Sequence, residues 1–262
     1  VTALAGGRRL RVAVLGNSVP LLMVPERTRR RDGTYPELLT GVLAEAGIDA
    51  EVTDRARMFE MIHEGARRFG EDVTPLHPDV LVVHYGIIEL QPNVLPTTLV
   101  RHLSVTRPAG RGVRRIWRRH AVPRLWPPAR AWQRWASARA GLRTWRFSPT
   151  RFVAELDHLV RMARYNRVLV LVLDVHDPGP RLEHFLPGIR ERWQRHQAAL
   201  RRYVDDLGDP AVRLVEVSAV AAGLGEGAST DGLHLGADGH ALLAQVIAKE
   251  IAAHEADGED GG

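Results

Sequence analysis

Asp79–Tyr85 reads DVLVVHY and Arg167–Leu173 reads RVLVLVL. Both are nearly unbroken apolar runs rich in β-branched residues. A strand covered on both faces has this pattern, whereas a strand with one wet face alternates. Leu10–Leu15 is a third run of the kind and ends at Gly16-Asn17-Ser18. Between the runs lie segments of helical period. Tyr35–Ala46 carries Leu38, Leu39, Val42, Leu43 and Ala46 at spacings of three and four and stops at Gly47. Ile48–Thr53 and Val212–Val217 complete the strands. Arg57–Phe69, Val153–Met162, Ile189–Val204 and Ala237–Ala253 complete the helices. Alternation of strand and helix around strands buried on both faces predicts an α/β fold, a doubly wound parallel sheet. Ligands of such sheets bind beyond the carboxyl ends of the strands. The site is therefore expected just after strands one, three and four and in the loop before the last helix.

The 262 residues suffice for one sizeable domain, expected over 1–262, with an insertion at 92–149 and a frayed acidic tail at 256–262. Hydrophobic residues make up 45% and charged ones 26%, which excludes a mainly disordered chain. With no cysteine, neither disulfides nor thiolate metal sites can form. Residues 1–9 lack the apolar core of a signal peptide, and no run of about 18 apolar residues spans a bilayer, so the expected location is cytoplasmic.

Three pieces fall where the site should lie. Gly16-Asn17-Ser18-Val19-Pro20 follows strand one and is neither a P-loop nor a dinucleotide fingerprint. By itself it reads as a turn. Asp231-Gly232-Leu233-His234 precedes the last helix. A carboxylate three residues before a histidine can reach Nδ1, fix the tautomer and leave Nε2 as a base; alone, the same residues make an Asp turn with a surface histidine. Gly86-Ile87-Ile88-Glu89 follows strand three, where Gly86 would let a ligand approach the backbone and Glu89 would put a carboxylate at the mouth. Strand four ends in Asp174-Val175-His176-Asp177. Carboxylate and imidazole suit zinc or manganese, but no second cluster at ligand spacing accompanies them. No metal or cofactor is therefore expected, and Asp174 and His176 read as substrate-lining.

Together VAVLGNSVP, PDVLVVHYGIIE and STDGLHLGADGHALLAQVI resemble three blocks of the SGNH/GDSL hydrolase family, in the family's order. The resemblance implies a flavodoxin-like three-layer α/β/α fold with a five-stranded parallel sheet in the order 2-1-3-4-5. It also implies a serine esterase or deacylase with Ser18 as nucleophile, His234 as base and Asp231 orienting it, working through an acyl-enzyme. The family's third block normally reads Gly-x-Asn-Asp, its Asn amide serving the oxyanion; Ile88 and Glu89 stand there in this chain. The family's second block supplies a glycine N–H after strand two. The local counterpart Asp54-Arg55-Ala56-Arg57 has no glycine, leaving the backbone N–H of Ala56 or Arg57. Asn17 in place of the usual Asp, and Asn93 downstream, are further amide candidates. Relatives with a similar third block and arginine-rich insertion suggest an O-acyl saccharide or specialised metabolite as substrate. An acyltransferase sharing the covalent step is the alternative within the same chemistry; a silent small-molecule or saccharide-binding module is the alternative outside it.

The net charge of +5 is unevenly spread: Pro92–Ala154 holds fourteen arginines and no carboxylate, which leaves −9 for the rest. Five of six tryptophans (Trp117, Trp126, Trp132, Trp135 and Trp145) fall in the same stretch. Pro96, Pro108, Pro123, Pro127 and Pro128 predict short helices, placed as a lid over the carboxyl edge of the sheet. Three roles fit: a solvated cap, recognition of an anionic small molecule or acyl carrier through arginine, and peripheral contact with an acidic membrane. No nucleic-acid-binding motif appears.

Overall fold

The computed structural model describes residues 9–21, 33–92, 120, 122–140, 146–229 and 231–259. Five parallel strands, β1 (Leu10–Gly16), β2 (Ala50–Asp54), β3 (Val80–His84), β4 (Leu169–Leu173) and β5 (Val212–Val215), form one sheet in the order β2-β1-β3-β4-β5. The three inner strands are the apolar runs, and their burial explains the composition: Ala13, Val14, Leu15, Leu81, Val82, Val170 and Leu171 are wholly buried. Register brings the carboxyl ends into line. Gly16 lies opposite His84, and Leu173 opposite Val215, so the loops after β1, β3 and β4 leave one edge.

Helices cover both faces. On one side α1 (Tyr35–Glu45) packs against α9 (Ala237–Glu259). On the other, α2 (Ile62–Arg67) packs on α5 (Pro149–Tyr165), and α5 on α7 (Ile189–Leu207). Short helices α3 (Phe69–Asp72), α6 (Gly179–Phe185) and α8 (Val217–Leu224) complete the layers, and α4 (Val122–Ala140) lies in the insertion. The three-layer α/β/α arrangement is the one expected.

Local expectations needed correction in two places. The helix read over Arg57–Phe69 starts only at Ile62. Arg57 N–H donates to the Gly16 carbonyl at 2.9 Å, across the sheet edge, and Phe59 takes a left-handed φ of 59°, so 55–61 is a loop held by tertiary bonds. The insertion was expected in short helices, yet α4 runs 19 residues through Pro127 and Pro128. Those prolines remove intrahelical bonds only near the start, and the turns from Ala129 onward propagate without interruption. Of the tail expected at 256–262, residues 256–259 belong to the end of α9 and 260–262 lie outside the described residues.

Candidate active site

Ser18 lies in the tight turn after β1. The turn is built by Gly16, where a Cβ would come within 2.8 Å of the His84 carbonyl, and by Asn17, whose N–H donates to that carbonyl at 3.3 Å. Asn17 Oδ1 accepts the Val19 N–H at 3.1 Å, which fixes the amide's orientation. Its Nδ2 is then buried with no partner among the described residues. A single 3₁₀ turn, Val19–Leu21, follows, so Ser18 sits at the head of a short helical turn with only 8% of its surface exposed.

From the other end of the sequence comes the loop before α9. Asp231 Oδ1 accepts the N–H groups of Leu233 and His234, both at 2.8 Å, curling the four residues into a turn. Gly232 holds φ at 73°, and a Cβ on it would strike the Pro178 carbonyl at 2.3 Å, so the turn is pressed against the start of α6. Asp231 Oδ2 meets His234 Nδ1 at 2.8 Å, and His234 Nε2 meets Ser18 Oγ at 3.0 Å, across 216 residues of sequence. Burial by itself would raise the Asp231 pKa. The hydrogen bond and charge of His234 and the two backbone N–H groups outweigh it, leaving the carboxyl below its ordinary value. An ionised Asp231 requires the proton on Nδ1, so Nε2 presents a lone pair to the serine hydroxyl. The arrangement can take a proton from Ser18.

Most other residues read as site candidates face inward. Glu89 is wholly buried: Oε1 accepts the Ile62 N–H at 2.8 Å and Oε2 the Gly86 N–H at 3.0 Å. Burial pushes its pKa up to about 7 against these backbone donors. It therefore ties the first residue of α2 to the loop after β3 and does not stand at a mouth. Gly86, with φ of 129°, is required by protein packing: a Cβ there would lie 2.5 Å from Val175 Cγ2 and 3.1 Å from His196 Cε1. Asp174 accepts from Ser218 N–H at 2.9 Å, Ser218 Oγ–H at 2.5 Å and Gln197 Nε2–H at 2.7 Å, pinning β4 to α7 and α8. Burial lifts its pKa to about 6. His176 is 1% exposed, and burial lowers its pKa to about 4. Ala56 N–H is taken by Asp54 Oδ1 at 2.8 Å and Arg57 N–H by Gly16, so neither is free for an oxyanion. Ile88, at the family's Asn position, belongs to the hydrophobic core. Asn93 lies outside the described residues. The Ser18 N–H, by contrast, has no acceptor among the described residues and sits beside the hydroxyl.

Two buried clusters escaped the sequence reading. His240 is wholly buried: the N–H of Tyr35, the first residue of α1, donates to its Nδ1 at 3.2 Å, and its ring stacks on Tyr35. His84 Nδ1 lies 3.3 Å from the Tyr35 hydroxyl, and burial drives its pKa to about 3. This trio joins the starts of α1 and α9 to the end of β3. In the second cluster Glu60 receives Arg68 Nε–H at 2.7 Å and the Tyr85 hydroxyl at 2.6 Å, while Arg68 Nη2–H also reaches the Arg55 carbonyl at 2.6 Å. One guanidinium thus clamps both ends of the loop 55–60. The only sequence signal for either cluster was a polar residue inside an apolar neighbourhood, which does not name its partner. Among the described residues no three His, Cys, Asp or Glu side chains are placed to hold a metal ion. Two clefts of about 430 and 190 Å³ open at the amino-terminal end of the sheet, lined by residues such as Arg161 and Arg11, and touch neither Ser18 nor His234.

Comparison with known proteins bears on the family and the fold. A model of the GDSL-like lipase/acylhydrolase family matches residues 14–242. No curated protein matches the chain in sequence. Among solved structures, a lipase/acylhydrolase from Enterococcus faecalis is similar at TM-score 0.58 and 14% identity, covering 94% of this chain and 96% of that one. A catalytic mutant of an acetylxylan esterase from Geobacillus stearothermophilus is similar at 0.59 and 12%, covering 92% and 94%. An esterase from a psychrotrophic Pseudoalteromonas is similar at 0.54 and 11%, covering 92% and 96%. At such identities the structures establish a shared fold. With the family model spanning well over half of its length, the chain belongs to the GDSL-like lipase/acylhydrolase family and is a hydrolase of the SGNH/GDSL type, with acyl-ester chemistry.

Proposed function

We propose that the protein is a serine-dependent esterase or deacylase that removes an O-acyl group from a saccharide or specialised metabolite through an acyl-enzyme. The observation that carries the reading is the unbroken relay Ser18 Oγ, His234 Nε2, His234 Nδ1, Asp231 Oδ2, with contacts of 3.0 and 2.8 Å. Ser18 Oγ attacks the ester carbonyl as His234 Nε2 takes its proton. The tetrahedral intermediate collapses when the imidazolium returns that proton to the leaving alkoxide, and Asp231 steadies the positive ring meanwhile. Water then attacks the acyl carbonyl as His234 takes its proton; the acyl–Oγ bond breaks, the acid leaves, and the imidazolium returns the proton to Ser18 Oγ.

The oxyanion is the weaker half of the design. Ser18 N–H is one donor, but Ile88 supplies none where relatives of the family have an amide. A missing donor costs about 3 kcal/mol, or 10²–10³ in rate. Slow turnover of simple esters is therefore expected, with the natural substrate's own groups making up part of the difference. The saccharide assignment draws support from the acetylxylan and acetyl-xylooligosaccharide esterases among the similar structures. Labelling with a fluorophosphonate tests the core of the reading. Wild type should be labelled and Ser18→Ala should not; a folded wild-type protein that takes up no label would refute it and favour a binding module.

A further inference from the structure

Among its described side chains, helix α4 buries polar residues and exposes large apolar ones. Its buried side chains include polar Gln133, 8% exposed, and Ser137, wholly buried. Its exposed side chains include Leu125 at 44%, Trp132 at 48% and Trp135 at 57%. Leu125, the exposed Pro128, Trp132 and Trp135 recur at intervals of three and four, so they share one outer face. Arg124, Arg134 and Arg139 are also exposed, and Arg139 lies over the Trp135 ring at 5.2 Å. A soluble helix normally turns such a stripe toward the core. Burying Gln133 and Ser137 while leaving two indoles in water is unfavourable unless something apolar covers the outer face.

We propose that the outer face of α4 is a docking surface for an anionic lipid bilayer. Tryptophan, with an apolar body and a polar N–H, belongs at the boundary between headgroup and acyl chain, and arginine flanking it pairs with headgroup phosphates while its stem stays in apolar surroundings. Charge selects the partner. Across Pro92–Ala154 there are fourteen arginines and no carboxylate, whereas the rest of the chain sums to −9. An acidic surface is drawn to the net charge of this segment and repelled by that of the rest of the chain. A second copy of the chain suits the stripe poorly, because apposing two α4 faces would bring arginine against arginine. The contact is peripheral: among the described residues no helix is long and apolar enough to cross a membrane. The segment is rooted next to the site, since the Arg146 N–H donates to the Gln91 carbonyl at 3.2 Å, two residues beyond Glu89. The docking surface does not depend on the catalytic reading of Ser18.

Co-sedimentation of the full chain with phosphatidylcholine vesicles, with and without about a third phosphatidylglycerol, tests the proposal. Binding is expected to the anionic vesicles alone, with a blue shift of tryptophan emission, and to be lost on raising salt from about 0.05 to about 0.5 M. The double variant Trp132→Ala/Trp135→Ala should bind at least about tenfold more weakly. Arg134→Gln/Arg139→Gln should weaken partitioning about 30-fold at low salt, from the loss of two charges near the surface. Both variants should keep the wild-type melting temperature, since the altered side chains are exposed. The proposal is overturned if the protein ignores anionic vesicles at low salt, if both variants bind like wild type, or if a soluble polyanion such as heparin binds while vesicles do not.

Discussion

The Asp231→Asn variant isolates what the carboxylate contributes to the proposed mechanism. Asp231 accepts three hydrogen bonds at 2.8 Å: two from backbone N–H groups onto Oδ1 and one from His234 Nδ1–H onto Oδ2. In the variant the side-chain amide oxygen can keep both backbone donors, so the turn survives, at a cost of about 1 kcal/mol of stability. The amide nitrogen now faces Nδ1. Two donors cannot share that contact, so the imidazole shifts its proton to Nε2, the atom that must accept from Ser18 at 3.0 Å. The base becomes a donor, and the charge that steadied the imidazolium is gone. In the analogous Ser-His-Asp arrangement this change lowers kcat about 10⁴-fold, equivalent to about 5 kcal/mol of transition-state stabilisation. Asp231→Ala is the poorer probe, because it also leaves the Leu233 and His234 N–H groups without an acceptor and mixes turn collapse with tautomer loss. Single-turnover hydrolysis of an activated aryl ester, run beside fluorophosphonate labelling and a thermal melt, reads both effects. A folded Asp231→Asn protein whose acylation rate stays within about tenfold of wild type would refute the relay.

Gly86→Ala should lower the melting temperature by roughly 5–15 °C, since it asks an alanine to hold φ of 129° with its Cβ 2.5 Å from Val175 Cγ2; a shift below about 2 °C in a fluorescence melt would show that the two loops can part cheaply. Acid should destabilise the fold only gradually. His84, His176 and His196, with pKa values near 3, 4 and 4, are depressed by burial, so the unfolded chain binds their protons first and each loses stability as pH falls below about 6.5. Glu89 and Asp174, raised by burial to about 7 and 6, act oppositely: the native state takes up their protons first, and stability is gained as pH falls toward the ordinary carboxylate range. His63, also lowered by burial, adds to the histidine side, so urea melts should show a net loss of stability as pH falls from about 6 to 4.5. Removing one opposing carboxylate with Glu89→Gln should steepen that loss, and an unchanged or shallower pH dependence would exclude the assigned protonation.

Legibility in the sequence followed the distance between cause and effect along the chain. Strands β1, β3 and β4 could be read because burial on both faces dictates every residue of the run, and the sheet's carboxyl edge then followed from topology alone. The Asp231–His234 turn could be read because its partners lie within three residues. Ser18 needed the family resemblance, since a hydroxyl after Gly-Asn carries no local sign of a histidine 216 residues on.

Misreadings arose where a polar residue at a strand end has two equivalent local descriptions. Glu89 and Asp174 sit at positions from which a carboxylate can face a ligand or turn inward. What decided was Ile62 N–H, 27 residues back, and Ser218, 44 residues ahead. Residues 57–61 were misread as helix for the same reason, because the Arg68 clamp and the Gly16 carbonyl override a run with good helical spacing. These inward carboxylates and the clamp all hold loops after β2, β3 and β4, and those loops surround the edge where Ser18 meets His234. The residues that meet at the relay are three, of which only Asp231 and His234 carry a local sign, while the buried polar groups that hold the surrounding loops are coded by pairs far apart in sequence. A swap of the relay onto another sheet would therefore need the second set as well as the first to hold a 3.0 Å contact between two loops so remote in the chain.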